Sequence, residues 1–192
     1  MFSTDDLVLI RHAAANHGGR LCGRTDVGLA EGTETPLQAL AALLPDVEDL
    51  RVSPAQRCRL TAKALWPDRM QSEDARLWEQ DFGDWEGVPF TDLPDLGALS
   101  PGDLAATAPP GGESFLDLAA RVTPALEEAA LAARTKGPVA VVAHAGVVRA
   151  GLSMALGSAA AGLSFEIAPL SITRIGCFEG GYSVRTVNWR PA

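Results

Sequence analysis

Cysteine is scarce: Cys22, Cys58 and Cys177 are the only three in 192 residues, and no two of them show C-x-x-C spacing. An odd, scattered set excludes a disulfide framework and a structural zinc site, and points to a reducing, cytoplasmic setting. Positive charge is also in deficit, with 16 Lys and Arg against 24 Asp and Glu and a net charge of −8. Nonspecific nucleic-acid binding relies on a basic surface, so that class is disfavoured, although a local basic pocket remains compatible. Long hydrophobic runs are missing as well. No stretch approaches the roughly 18 apolar residues that span a membrane. The opening Met1-Phe2-Ser3-Thr4-Asp5-Asp6 is acidic and lacks the basic and apolar regions of a signal peptide. A chain of this length fits a single domain over 1–192 with a large core.

Histidine is equally rare, and the placement of two of the three is informative. His12 follows Leu7-Val8-Leu9-Ile10-Arg11, and His144 follows Val139-Ala140-Val141-Val142-Ala143. Apolar runs without alternation read as strands buried on both faces, and in an open α/β sheet the ligand crevice lies beyond the strand carboxyl ends. Both imidazoles therefore address one crevice if their strands are neighbours. Arg11 stands beside the first, and Arg57 follows another strand-like run, which makes the crevice cationic and suited to phosphate.

The rest of the chain supports this frame. A Gly-rich loop spans Asn16 to Asp26, and a helical pattern runs from about Leu37 to Leu44 before Pro45. A strand near Val47 to Val52 leads into Ser53-Pro54, where Ser53 suits a helix cap, Pro54 the first helical position, and Arg57 the first turn. Residues 89–112 are rich in Pro, Gly and Asp and read as an irregular, lid-like excursion with a short helix near Pro101 to Ala106. Helical spacing then runs from Glu113 to about Arg134, with a kink expected at Pro124. Val139 to Ala143 is a strand and Val147 to Leu156 a helix. Ser171 to Phe178 with Tyr182 to Val187 forms a hairpin around Glu179-Gly180-Gly181. The expected architecture is one α/β domain, with a mostly parallel sheet between helical layers and the excursion roofing the crevice.

Phosphate monoesters resist uncatalysed hydrolysis so strongly that enzymatic accelerations reach on the order of 10²¹. Two guanidiniums, Arg11 and Arg57, can grip the nonbridging oxygens and stabilise their charge during transfer. One such contact at about 4 Å and an effective dielectric near 20 gives roughly 4 kcal/mol. Nearby cations also disfavour imidazolium, so His12 keeps a neutral nitrogen for attack on phosphorus. The leaving oxygen needs a proton from a carboxylic acid in Leu77 to Gly87, where the residues alone leave Glu79, Asp81, Asp84 and Glu86 in competition.

Each residue has an ordinary reading too. A strand-end histidine is more often a hydrogen-bonded core residue, and a lone arginine a solvated or ion-paired one. Trp78, Phe82 and Trp85 read as core or lid packing. Arg24 reads equally as a substrate contact or an exposed loop residue, and Arg149 as a structural ion-pair partner. A metal held by His12, His144 and Glu79 finds no support in local ligand spacing, so no metal or cofactor is expected.

Four blocks in order nevertheless resemble the histidine phosphatase (phosphoglycerate mutase-like) superfamily: Arg11-His12-Ala13, Ser53 to Ala62 with Arg57, Leu77 to Gly87, and Val142 to Arg149 with His144. Ala13 and Ala145 depart from the family's usual glycines, which questions the tightness of the phosphate loop. The resemblance implies a three-layer αβα fold and a phosphohistidine on His12. It also implies proton donation by Glu79, and phosphate binding by Arg11, Arg57 and His144. The Arg-Arg-Tyr-Gly segment of mutases is absent. Leu21 to Val27 and Pro109 to Ser114 are similar to α-ribazole phosphatase-like members. The expected substrate is therefore a small-molecule phosphate monoester, with α-ribazole 5'-phosphate of cobalamin nucleotide-loop assembly as the named candidate. A mutase-type phosphotransferase, a broad-specificity or sugar phosphatase, and a noncatalytic phospholigand-binding protein stay open, as does a homodimer.

Overall fold

Alternation along the central strands divides the core in two. In a computed structural model that describes residues 2–191, β1 (Asp6–Arg11) sends Leu7 and Leu9 to one face of the sheet and Val8 and Ile10 to the other. All four side chains are essentially inaccessible, as an interior strand requires. Each fully buried aliphatic side chain contributes about 1.5–3 kcal/mol.

β1 is hydrogen-bonded in parallel to β4 (Val139–Ala143), which pairs in parallel with β2 (Asp49–Val52) and through it with the short β3 (Ser72–Glu73). On its other side β1 meets β5 (Ile172–Phe178) antiparallel, and β5 turns into the edge strand β6 (Gly181–Trp189). The result is a six-stranded, mostly parallel sheet in the order β3-β2-β4-β1-β5-β6. Over one face lie α1 (Glu34–Ala41) and α2 (Gln56–Leu65), packed on Val8, Ile10, Leu50 and Val142. Over the other lie α4 (Phe115–Lys136) and α5 (Ala145–Leu156), packed on Leu7, Leu9 and Val141. The three layers match the expected α/β architecture. No helix is long and apolar enough to cross a membrane among the described residues.

The differences from the sequence reading lie at element ends. α1 begins three residues earlier than its apolar pattern, because Glu34 and Thr35 of the first turn are polar and carry no periodic signal. α4 is one continuous helix through Pro124. It opens on a reciprocal capping box, in which the Ser114 hydroxyl takes the Asp117 N–H and Asp117 takes the Ser114 N–H. Ser53 does not cap α2. That helix starts two residues later, behind Ala55, and the Asp26 carboxylate accepts the Gln56 N–H at 2.7 Å instead. Within 89–112, residues Phe90–Asp92 form a 3-10 turn and Pro101–Ala106 form α3.

At Gly151, α5 lies close against the sheet. A Cβ there would stand 2.5 Å from Leu9 Cδ1 and 3.3 Å from Leu126 Cδ1. Overpacking at such a site costs about 1–3 kcal/mol, more than the few tenths gained from a better helix former. Gly151→Val should lower the thermal midpoint by about 2–4 °C for each kcal/mol lost. An unchanged midpoint in circular dichroism would contradict this packing.

Candidate active site

The parallel register of β1 and β4 places Arg11 opposite Ala143, so His12 and His144 leave the sheet side by side with ring centroids 5.2 Å apart. The His12 Nδ1 lies 2.6 Å from the Ala13 carbonyl oxygen. A carbonyl only accepts, so Nδ1 carries the proton and Nε2 holds the lone pair. His12 is only 7% exposed. Burial pushes its pKa down to about 3; the bond to Ala13 opposes this and the charges of Arg57 and Arg11 add to it. At neutral pH the ring is uncharged, with its lone pair on Nε2.

Arg57, buried to 1% exposure, donates from Nη2 to the Gly23 carbonyl at 2.7 Å, from Nη1 to the Thr25 carbonyl at 3.0 Å and from Nε to His144 Nδ1 at 3.3 Å. The remaining N–H groups of its fork are uncommitted. Arg11 donates from Nη1 to the Ile167 carbonyl at 2.5 Å, while its Nε is buried with no protein partner. A buried donor left without a partner is costly. Burial lowers the Arg11 pKa, against the opposing charge of Glu79, yet guanidinium remains cationic at any working pH.

These groups line a cavity of about 250 Å³ whose wall contains Arg11, His12, Arg57 and Glu79. His144 is close by but fully buried and outside that wall. Its Nδ1 accepts from Arg57, so Nε2 carries the proton and donates to Ser53 Oγ at 2.8 Å. Burial and the neighbouring His12 and Arg57 hold its pKa well below the imidazole range. Both ring nitrogens of His144 thus have protein partners, Arg57 Nε and Ser53 Oγ, behind the cavity wall. His144 backs Arg57, and Ser53 serves His144 instead of the helix.

Among the described residues, Glu79 is the only carboxylate on the cavity wall; Asp81, Asp84 and Glu86 do not line it. The Glu79 Oε1 accepts from the Gln80 N–H at 3.0 Å and its Oε2 from the Gly146 N–H at 3.2 Å. Glu86 instead accepts from the Gly23, Arg24, Thr25 and Phe82 amides and the Thr25 hydroxyl, fastening the loop whose carbonyls hold Arg57. Burial alone would raise the Glu86 pKa, but these donors outweigh it and hold the carboxyl below its usual range. Asp81 receives the Gly83 N–H, and the Asp84 amide bonds Pro110. Ala13 and Ala145, the departures from glycine, both keep φ negative and carry no backbone strain.

The sequence reading missed the clamp behind Glu79. Arg121 of α4 donates to the carbonyls of Arg76, Trp78 and Glu79 and pairs with Glu113 at 2.7 Å. Glu113 in turn accepts the Asp81 N–H. Such long-range pairs leave no local motif. Arg24, a candidate substrate contact, does not line the cavity; its guanidinium lies over the Trp78 ring, 3.6 Å from Glu113. Among the described residues Arg149 makes no ion pair, contrary to expectation: it lines the cavity and donates to the Phe165 carbonyl at 3.0 Å. Of the 89–112 excursion, only Phe90 reaches the wall.

A cationic cavity around an uncharged, tautomer-fixed histidine and a carboxyl group is a site for phosphoryl transfer. Residues 7–190 match the model of the histidine phosphatase superfamily (branch 1), and the chain belongs to that family. It is 34% identical to glucosyl-3-phosphoglycerate phosphatase of Mycolicibacterium vanbaalenii over 79% of this chain and 74% of that protein. Among solved structures, mycobacterial glucosyl-3-phosphoglycerate phosphatase in complex with VO3 superposes with a TM-score of 0.84 at 28% identity, covering 97% of this chain and 99% of that one. A putative α-ribazole-5'-P phosphatase from Escherichia coli does so with a TM-score of 0.83 at 25% identity, over 98% of both chains.

Two outcomes follow. A Cβ at Gly146 would collide with Glu79 Oε1. Gly146→Ala should displace the Glu79 carboxyl group and, if that group donates the proton, lower kcat by about 10²-fold in steady-state kinetics. A rate within about twofold of wild type would contradict the placement. In addition, His12 titrates near 6.5 in the unfolded chain and near 3 in the fold. The unfolded state binds more protons between those values, so stability rises with pH across that window. Urea unfolding should show wild type losing stability as pH falls from about 6.5 toward 3, and His12→Asn losing less. Equal slopes would contradict a buried neutral ring.

Proposed function

We propose that this chain hydrolyses a small-molecule phosphate monoester through a phosphohistidine on His12. The observation that carries this reading is the Nδ1 bond to Ala13, which leaves Nε2 as the nucleophilic nitrogen of a ring on the cavity wall. His12 Nε2 attacks phosphorus as the P–O bond to the leaving group breaks. Glu79 gives its proton to the departing oxygen, and Arg11 and Arg57 hold the nonbridging oxygens. His144 fixes the Nε end of Arg57. Water, deprotonated by the Glu79 carboxylate, then attacks the phosphohistidine and releases phosphate, returning His12 and protonated Glu79.

The absence of the Arg-Arg-Tyr-Gly segment supports hydrolysis over transfer back to substrate. Unpaired Cys22, Cys58 and Cys177 support a reducing, cytoplasmic compartment. For the substrate, the named relatives supply two candidates, a glucosylated 3-phosphoglycerate and α-ribazole 5'-phosphate.

The reading is tested by phosphate release from both esters, 3-phosphoglycerate and p-nitrophenyl phosphate in the presence of EDTA. Wild type should turn over, and His12→Ala should fall by about 10³-fold or more. Equal activity in the variant would remove His12 as nucleophile, and isomerisation of phosphoglycerate without free phosphate would make the protein a mutase.

A further inference from the structure

The Nε of Arg57 is held only while His144 has a lone pair to offer it, 3.3 Å away. A protonated imidazole carries N–H at both nitrogens, and two donors would then face each other. An uncharged His144 is therefore a condition of the arrangement that orients Arg57. Burial is the largest influence holding the ring below the imidazole range, and it lasts only while water is kept off. His12 and Arg11 at the end of β1, Arg57 of α2 and Arg121 of α4 add to it. Cys58 of α2 has its Sγ 3.5 and 3.8 Å from the two ring nitrogens and stays a thiol, because burial pushes its pKa up. Glu79 of the adjoining segment is turned to the Gly146 N–H.

Most of the side chains against the ring are sealed in themselves. Ser53, Arg57, Cys58 and His12 are 0%, 1%, 0% and 7% exposed. Trp78 is the exception. Its indole lies parallel to the imidazole within 8°, with centroids 6.3 Å apart, which is the geometry of an offset stack. Yet Trp78 is only partly buried, so solvent touches the side chain that covers His144. The residue is well anchored for such a task. Arg121 Nη1 donates to its carbonyl at 3.1 Å, and the Arg24 guanidinium stands 5.8 Å from its ring centroid. Trp78 does not line the cavity, although Glu79 beside it in sequence does.

We propose, resting on the phosphatase reading, that Trp78 is a positioning residue whose indole shields His144 from water and so preserves the acceptor that fixes Arg57. It touches no reacting atom. Its effect passes from the indole to His144, from His144 Nδ1 to Arg57 Nε, and from the Arg57 fork to the phosphoryl oxygens. Removing the indole opens that side of His144 to water and relieves the burial that disfavours imidazolium. The ring then titrates toward its ordinary value of about 6.5. Below that pH it is charged, the Nε bond is lost and Arg57 is held by the Gly23 and Thr25 carbonyls alone. The defect is therefore small in alkali and grows as pH falls.

The test follows kcat/KM for p-nitrophenyl phosphate from about pH 8 to about pH 5.5 in wild type, Trp78→Ala and Trp78→Phe. Each variant is expressed as a ratio to wild type, so that ionisation of the ester cancels. The Trp78→Ala ratio should fall by about tenfold across that range, because a group titrating near 6.5 is about nine-tenths protonated at the acid end. Trp78→Phe keeps a ring over the imidazole, and its ratio should stay flat. A purely structural role lowers the rate by one factor at every pH, so a flat Trp78→Ala ratio overturns the proposal. Should Trp78→Ala unfold, Trp78→Gln gives the same reading with more of the volume retained. Nitrogen NMR of the three imidazoles supplies a second, turnover-independent measurement. His144 should remain uncharged in wild type at about pH 5.5 and titrate at a higher pH in the variant. Protonation of His144 near 6.5 in wild type overturns the shield. Absence of phosphate release from any ester by wild type removes the phosphatase reading, and the His144 titration then still decides whether Trp78 shields the ring.

Discussion

The site depends on the parallel pairing of β1 with β4. From Leu7 opposite Val139 to Arg11 opposite Ala143 the two strands run in register and end together. The residue after each end is a histidine, and the His12 N–H bonds the Ala143 carbonyl at 2.9 Å. The pairing that joins the two central strands of the core therefore also sets the histidine pair side by side. The ring proposed as nucleophile is held at the end of a central strand, and its local contact, Nδ1 to Ala13, leaves the lone pair on Nε2.

Around that pair, the chain collects cations in a buried place where they repel one another. It does so with two clamps built from ordinary ion pairs and amide hydrogen bonds. Glu86 gathers the amides of residues 23–25, and the carbonyls of Gly23 and Thr25 face Arg57 as a result. Arg121 and Glu113 gather residues 76–81 from the other side and aim Glu79 at Gly146. Both clamps join loops to helices distant in sequence. A site of this kind is preorganised before any phosphate arrives, which is where most of the electrostatic benefit of such catalysis lies.

The fold was legible because its signals are local: unbroken apolar runs for the buried strands and helical spacing for α4. Buried strands at 7–10 and 139–143 and the long pattern of α4 could be read directly. Element ends were less legible, since Glu34 and Thr35 add nothing to an apolar count and Ser53 looks like a cap whether or not it caps. Of the site, Arg11, His12 and Arg57 could be placed from strand ends and the Ser-Pro block, and Glu79 required the cavity to separate it from Glu86. His144 was found, but not its commitment to Arg57 and Ser53, because tautomer and partners belong to the tertiary structure. Arg121 and Arg149 were misread or missed for the same physical reason. An arginine's partner is set by three-dimensional neighbours, and its immediate sequence holds no trace of them.

The central claim is that a fixed tautomer makes Nε2 of His12 the attacking atom. Rapid acid-free quenching during turnover, followed by peptide mapping and phosphorus NMR, would locate the phosphoryl group. The account predicts phosphate on the peptide containing His12, bonded to Nε2. Phosphate on Nδ1 of His12, or on another residue, would contradict it.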